Sequence, residues 1–350
     1  MFLFKHDDKD ISSLVEHVNM ADDADQAARS CEFTIAYNTK DELLEKEDIK
    51  LGDTFYVFYQ DETEQPTTGA NSTGGTTTST TGETTDTANT SKRIEVFRGK
   101  VFYRERDTSN VVMRFTAYDN LIYLAKSKTT RKFKNITVAD TITQVVNELG
   151  LTLGELPEIS TAVDFIADTK TGIEIIKQAL GYEKATTGKV YSLVMNEGLL
   201  NVVLKGTGIT GDDDFKITDD TNLEKTTYSE SVEDMVNQIM IVDKDGNTSS
   251  YVTVDDQVSA YGMIQDVYKI DEKQNTQTQA GAKLKGITYK CSLSAIGDVR
   301  CKSGYCINVK DEQLWGKFFI KSDRHEIAGN VHKMDLELEY VGAADDDKKE

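Results

Sequence analysis

The chain has 350 residues, more than one average domain and enough for two or three with sizeable cores. Forty basic against sixty acidic residues give a net charge of -20, a field that repels phosphate backbones and anionic surfaces, so specific nucleic-acid binding is not expected. No apolar run approaches the roughly 18 to 20 residues of a spanning helix, the stretch Met1 to Asp8 lacks the layout of a secretory signal, and Cys31, Cys291, Cys301 and Cys306 make no disulfide framework in so long a chain.

These features imply synthesis in a reducing cytoplasm and no direct membrane insertion. The first segment then reads as strands: Phe33, Ile35 and Tyr37 alternate, Thr54 to Tyr59 is aromatic and β-branched, and Val111, Met113, Phe115 and Ala117 alternate. Inside it, residues 63–92 are Thr, Gly, Ser and Asn with almost no large apolar side chain. Such a tract buries too little to offset its ordering entropy and is expected to be a loop interrupting a β-domain, since strand patterns flank it.

From Asp119 the period moves from 2 toward 3.6. Val138, Ile142, Val145, Val146 and Leu149 predict a helix with Thr137 as N-cap, Asp140 at the capping-box position and Gly150 past its end. A second helix, through Ile173, Ile176 and Leu180, is expected to stop at Gly181. Val190 to Val194 and Leu199 to Leu204 flank Asn196-Glu-Gly198, a hairpin signal that completes a small α+β unit.

The last third returns to strands. Met235 to Val242 and Ser249 to Val254 flank a turn centred on Asp245-Gly246. Ala280 to Leu284 reads as helix. Ile287, Tyr289, Cys291 and Leu293 alternate, as do Tyr305, Ile307 and Val309, and Met334, Leu336, Leu338 and Tyr340. Residues 343–350 read as a solvated charged tail.

Four motifs need weighing. Gly206-x-Gly208-x-x-Gly211 has the glycine spacing of dinucleotide sites, but Asp212, Asp213 and Asp214 stand where a pyrophosphate would meet a helix N-terminus and no helical period follows. Asp243-x-Asp245-Gly246 begins like a calcium loop and lacks the later acidic ligand. Cys291, Cys301, Cys306, His325 and His332 have no short Cys-x-x-Cys spacing, so buried thiols are expected rather than zinc. Trp315, the one tryptophan, is expected in the core rather than as a sugar platform. With His6, His17, His325 and His332 the only histidines and no recognised catalytic motif, no catalytic, cofactor-binding or metal residue is assigned.

Phe97-Arg-Gly99 leading into Val111 to Asp119, Leu121 to Leu124, Phe133-x-Asn135-x-Thr137, Ala260-Tyr-Gly-Met-Ile-Gln265, Gly304 to Lys310, Gly316 to Ile320 and His332-x-Met334-x-Leu336 together resemble one family. It is the XkdQ/YqbQ family of central baseplate hub proteins of contractile phage tails, known from the defective prophage PBSX, and more distantly the late-control gene D family. The resemblance runs from about Phe33 to Val341 apart from the Thr-rich tract.

The resemblance implies a β-rich α+β fold of two β-barrel domains, 1–119 and 226–342, flanking an α+β domain at 120–225. It implies a non-enzymatic structural subunit, made in a bacterial cytoplasm, whose homotrimeric ring adapts a sixfold tail tube to a threefold spike in a phage or phage-tail-like bacteriocin. The implied partners are further copies of the chain, spike, tail tube and tape-measure proteins, and baseplate proteins such as a LysM-type adaptor, with no cofactor. The alternatives are a carbohydrate- or peptide-binding module and an acidic cell-wall hydrolase.

Overall fold

The computed structural model describes residues 1–24, 28–37, 43, 45–60, 93–106, 111–209, 215–270 and 276–343. The Thr-rich tract and the charged tail after residue 343 lie outside them. The first region forms six main strands, all paired antiparallel. Their spatial order is Phe2–His6, Thr54–Gln60, Arg93–Arg106, Val112–Tyr118, Ser30–Ala36 and Val15–Asp23.

Because side chains alternate between the faces of a strand, Phe33 and Ile35 turn inward to meet Met113, Phe115 and Ala117. Val111, expected on the same stripe, lies just before its strand and is exposed. Phe4 and Val18, from opposite ends of the strand row, enter one core, so the sheet curls around it. There the Phe33 ring stacks on Phe55 at 3.7 Å between centroids.

Gln60 faces Arg93 in the ladder, so the tract between them leaves and rejoins a single antiparallel pair. Replacing residues 63–92 by a short Gly/Asn turn is therefore expected to leave the fold intact, since each halving of loop length changes the closure free energy by only about 0.6 kcal/mol. Urea unfolding checks this. A loss of stability beyond about 2 kcal/mol would show that the tract contributes contacts, because shortening alone acts in the stabilising direction.

The middle unit packs helices Leu121–Lys126, Val138–Glu148 and Gly172–Thr187 against the antiparallel pair Lys128–Thr137 and Ala162–Thr171, with a small sheet of Thr152–Leu153, Tyr191–Asn196 and Leu199–Leu204. Val138–Glu148 starts as expected, the Thr137 hydroxyl accepting from the Asp140 N–H, and buries Val138, Ile142, Val145 and Val146. Gly172–Thr187 does not stop at Gly181. A glycine inside a helix costs only about 1 kcal/mol against alanine, while Leu180 and Glu183 remain buried, and the left-handed Gly188, φ 77°, ends the helix instead. Glu197 and Gly198, at φ 50° and 75°, form the primed two-residue turn that matches strand twist.

The last region is a second curled sheet in the spatial order Lys216–Thr218, Cys306–Lys310, Trp315–Ala328, Val331–Gly342, Thr288–Ile296 and Leu223–Ser231. Met334, Leu336, Leu338, Cys291 and Leu293 fill its core as their alternation requires, whereas Tyr289 and Tyr340 at the strand ends stay exposed. Ile209 and Ile217 belong to this core too, so the unit begins ahead of the expected boundary at residue 226.

Residues 232–287 leave this sheet to form a small one of their own, Thr248–Thr253, Gln238–Val242 and Gln265–Lys269, with helices Asp255–Tyr261 and Thr276–Gly281. The helix expected at Ala280 to Leu284 thus lies earlier, with Ala280 buried near its end. In the Asp243 turn the carboxylate accepts from the Asp245 and Asn247 N–H groups at 2.9 and 2.8 Å.

The 14-residue strand Trp315–Ala328 unites the halves. Its first part pairs with Cys306–Lys310, and its second part pairs with Val15–Asp23, Ser322 opposite Asp23 and Ala328 opposite His17. The result is one 13-stranded sheet whose pairing path stays open among the described residues, ending at Lys9–Asp10 and Leu223–Ser231. The regions expected as separate barrels are curled parts of this single sheet.

Candidate functional site

Where the long strand exchanges one neighbour for the other, its backbone ladder splits, and a buried charged cluster occupies the junction. Arg29, just before the Ser30–Ala36 strand, grips Asp323 with two hydrogen bonds, Nη1 to Oδ2 at 3.1 Å and Nη2 to Oδ1 at 2.5 Å. Asp323 also accepts from the Ser303 N–H at 2.7 Å. Asp22, on the Val15–Asp23 strand, lies 3.8 Å from Arg29. Asp119 follows the Val112–Tyr118 strand and accepts from the Leu121 N–H at 2.9 Å, so it starts the first helix of the middle unit. One cluster therefore ties both curled halves to the middle unit.

Burial opposes ionisation here, yet the adjacent Arg29 charge holds the Asp323 carboxyl well below the usual range. Burial pushes Asp22 up against the pull of Arg29, and pushes Asp119 up to about 8 with help from the charge of Asp22. Lys302 is brought down to about 8 by burial and then by Arg29. Asp323 is buried with both oxygens engaged, Arg29 Nε has no hydrogen-bond partner among the described residues, and Asp22 borders a cleft on the shared sheet; the Arg29–Asp323 pair at its centre is a clamp.

The zinc candidates do not converge. The four cysteines are buried free thiols, and His325 Nε2 lies 2.8 Å from the Cys301 carbonyl oxygen, its Nδ1 3.0 Å from His332 Nε2. Among the described residues the group with three ligand atoms close together is His6, Asp7 and Asp53. His6 sits between Glu47, 2.5 Å from Nδ1, and Asp53, 2.8 Å from Nε2. Burial lowers its pKa, but these two carboxylates outweigh that and raise it, which suits an imidazolium held in an ion-pair network with Lys9. Residues 6 and 53 lie far apart in sequence, so spacing gave no signal for this group. Of the glycine motif, Gly208 bridges to Cys306 and the next described element is a strand, not the helix a dinucleotide needs; residues 210–214 lie outside the described residues.

Trp315 corrects its expected place: it is 60% exposed, while Leu314 beside it takes the core position. The reason lies in the strand that follows. Gly316 has φ 141°, and a Cβ there would stand 2.7 Å from the Tyr340 ring, so only glycine lets that ring lie across the strand. Trp315, Tyr340, Tyr228 and Tyr289 then rim a groove of about 580 Å³ floored by Phe318 and Leu338. The Lys310 ammonium lies 5.3 Å from the Trp315 ring centroid. The groove adjoins Leu223–Ser231, the open edge of the sheet. On the shared sheet, Asp23, Glu32, Asp335 and Glu337 line a second, acidic cleft of about 550 Å³.

Comparison with known proteins agrees with this architecture. The chain is 26% identical over 264 residues to YqbQ of Bacillus subtilis (strain 168), covering 71% of this chain and 78% of that protein. It is 24% identical over 271 residues, with the same coverage, to the phage-like element PBSX protein XkdQ of that strain. The fold matches the 43 kDa tail protein of prophage MuSo2 from Shewanella oneidensis with a TM-score of 0.65, over 97% of this chain and 98% of the other at 11% identity. Residues 71–339 match the YQBQ-like family, and with that span covering most of its length the chain belongs to it.

Proposed function

We propose that this protein is a non-enzymatic structural subunit of a contractile tail baseplate, the hub on which the tail tube and spike meet. The observation that carries the reading is the continuous sheet: two curled β-halves, fused through Trp315–Ala328 and clamped by Arg29 and Asp323, form a single paired unit among the described residues. Its full-length likeness in fold to a prophage tail protein, and its kinship to a protein of the phage-like element PBSX, support the same reading.

In this reading residues 1–119 and the unit reaching to residue 342 act as two related barrel-like domains around the middle unit. Three copies close into a ring presenting six similar domains to a sixfold tube and three equal faces to a spike. The acidic cleft on the shared sheet would give such a ring a negatively charged wall, which passing nucleic acid would not adhere to. Tail tube, spike, tape-measure and LysM-type adaptor proteins are the partners that role requires, in either a virion or a bacteriocin particle.

The test is the native mass of the purified full-length chain. Three copies per particle, with ring-shaped projections in electron micrographs, are expected. A chain that stays monomeric at high concentration and is absent from purified tails would overturn the hub reading.

A further inference from the structure

We propose that His6, Asp7 and Asp53 form a site for one divalent transition-metal ion, zinc being the best fit, which pins the hairpin at the end of the sheet to the turn before Thr54–Gln60. The site stands independently of the hub reading.

The ligands come from two turns that the fold brings together. His6 ends the strand Phe2–His6, Asp7 follows it in the turn toward Lys9–Asp10, and Asp53 immediately precedes Thr54–Gln60. His6 faces Phe55 in the ladder and the Asp7 N–H donates to the Thr54 carbonyl at 2.8 Å, so the turns are held side by side. One ligand atom from each of the three side chains lies within 4.8 Å of the other two. From His6 Nε2, an Asp53 oxygen stands at 2.8 Å and an Asp7 oxygen at 3.6 Å. Ligands bound tetrahedrally at about 2.0 to 2.2 Å stand about 3.4 Å apart, and the two observed distances bracket that spacing.

Two further features set this group apart from an ordinary surface ion pair. The first is the carboxylate behind the imidazole. Glu47 Oε1 lies 2.5 Å from His6 Nδ1, its side chain is 11% exposed, and its other oxygen is 2.5 Å from Lys9 Nζ. Accepting from Nδ1–H, it fixes the tautomer that leaves Nε2 free to coordinate, the arrangement that backs most metal-bound histidines. Each aspartate is in turn oriented by the main chain: Asp7 Oδ1 accepts from the Thr54 N–H at 3.0 Å, and Asp53 Oδ2 from the Lys50 N–H at 2.7 Å. The second feature is charge. Asp7, Glu45, Glu47 and Asp53 set four carboxylates around His6 and Lys9, while the Lys50 ammonium pairs with Asp48 at 3.7 Å. Even an imidazolium at His6 leaves two negative charges in excess. In the metal-free chain a proton is held between Nε2 and Asp53; a divalent ion takes its place and offsets one charge more. An imidazole nitrogen in the ligand set favours zinc over magnesium or calcium, which take oxygen ligands. Three protein ligands leave the fourth position of a tetrahedral ion to water.

The test takes the full-length chain, stripped of metal by a chelator and dialysed, and titrates it with zinc chloride alone in a calorimeter, beside two variants whose folding circular dichroism verifies. Asp7→Asn removes one ligand charge, while asparagine tolerates the left-handed backbone of residue 7, φ 47°, and can still accept from Thr54. Glu45→Gln changes an exposed carboxylate that pairs with Lys9 and is not one of the three ligands. The wild type and Glu45→Gln are expected to bind one equivalent of zinc with equal affinity, and Asp7→Asn to bind it roughly tenfold or more weakly. The thermal midpoint of the wild type should rise with zinc, as for any ligand that binds only the folded state. Cobalt(II) in place of zinc should show the weak visible bands of a nitrogen–oxygen site and no thiolate charge-transfer band. Absence of zinc binding by the folded wild type, unchanged affinity in Asp7→Asn, equal weakening in both variants, or a thiolate band from the cysteines overturns the proposal.

Discussion

Replacing Arg29 by methionine is expected to lower the stability of the fold by about 3 to 5 kcal/mol, the cost of leaving a buried charge without its partner. Asp323 is nearly inaccessible to water and keeps its charge because the guanidinium meets both of its oxygens. Methionine fills the space without supplying a donor. Asp323 must then either stay ionised in an apolar site or take up a proton, and Asp22 loses the same cation. The damage falls on the strand that joins the halves. Urea unfolding followed by circular dichroism measures the loss, and a change under about 1 kcal/mol would show that the pair is not buried as a clamp. Adding Asp323→Leu to Arg29→Met should regain part of the stability, because an apolar pair needs no compensation.

Stability is also expected to fall between about pH 6.5 and 8, mainly through Asp119. Its carboxyl, pushed up to about 8 by burial and the nearby Asp22, keeps a proton in the folded chain that the unfolded chain releases near 3.8. The folded state therefore binds more protons between those values, so stability declines as pH rises across that range. Asp22, raised to about 6 by burial, acts in the same direction but below about pH 6. His332 acts oppositely. Brought down to about 4 by burial and then by His325, it makes stability rise between about 4 and 6.5, where the unfolded chain still holds that proton.

Above pH 6.5 that opposition ends, and the raised His6 strengthens the decline as it loses its proton. Lys302, lowered to about 8, is a constant cost below that pH and is relieved only above it. At about 1.36 kcal/mol per pH unit, Asp119 alone contributes roughly 2 kcal/mol over the window from 6.5 to 8. Asp119→Asn keeps a carbonyl to accept from Leu121 and should remove that share of the slope. Unfolding both proteins at pH 6.5 and 8 decides it. Equal slopes for wild type and variant would place the titration elsewhere.

Much of the local structure was legible in the residues. The Val138–Glu148 helix followed from its apolar stripe and Thr137, the Asn196–Leu199 and Asp243–Asn247 turns from glycine placement, and the Met334, Leu336 and Leu338 face from strict alternation. Such signals survive in sequence because a single helix or strand imposes its own period on what is buried. Even so, the stop expected at Gly181 shows that a modest local cost yields when neighbouring residues are held in a core.

The rest depended on residues remote in sequence. No period announces that His17 will lie beside Ala328, and none links Arg29 to Asp323, since pairing across a sheet joins strands whose separation along the chain is arbitrary. Trp315 read as core from its apolar neighbours, but whether a strand-end side chain is covered depends on what lies across from it. By itself the sequence determined several of the elements and the inward faces of the strictly alternating ones, the β-rich class and the family likeness. Only the tertiary structure decided that the two β-regions share one continuous sheet, that a buried ion pair clamps its junction, and that a bulge at Phe102 and the glycine at 316 leave aromatic rings exposed on each half. Local periodicity encodes which side of an element is buried, whereas the partner that buries it is chosen by contacts formed after the chain has folded back on itself.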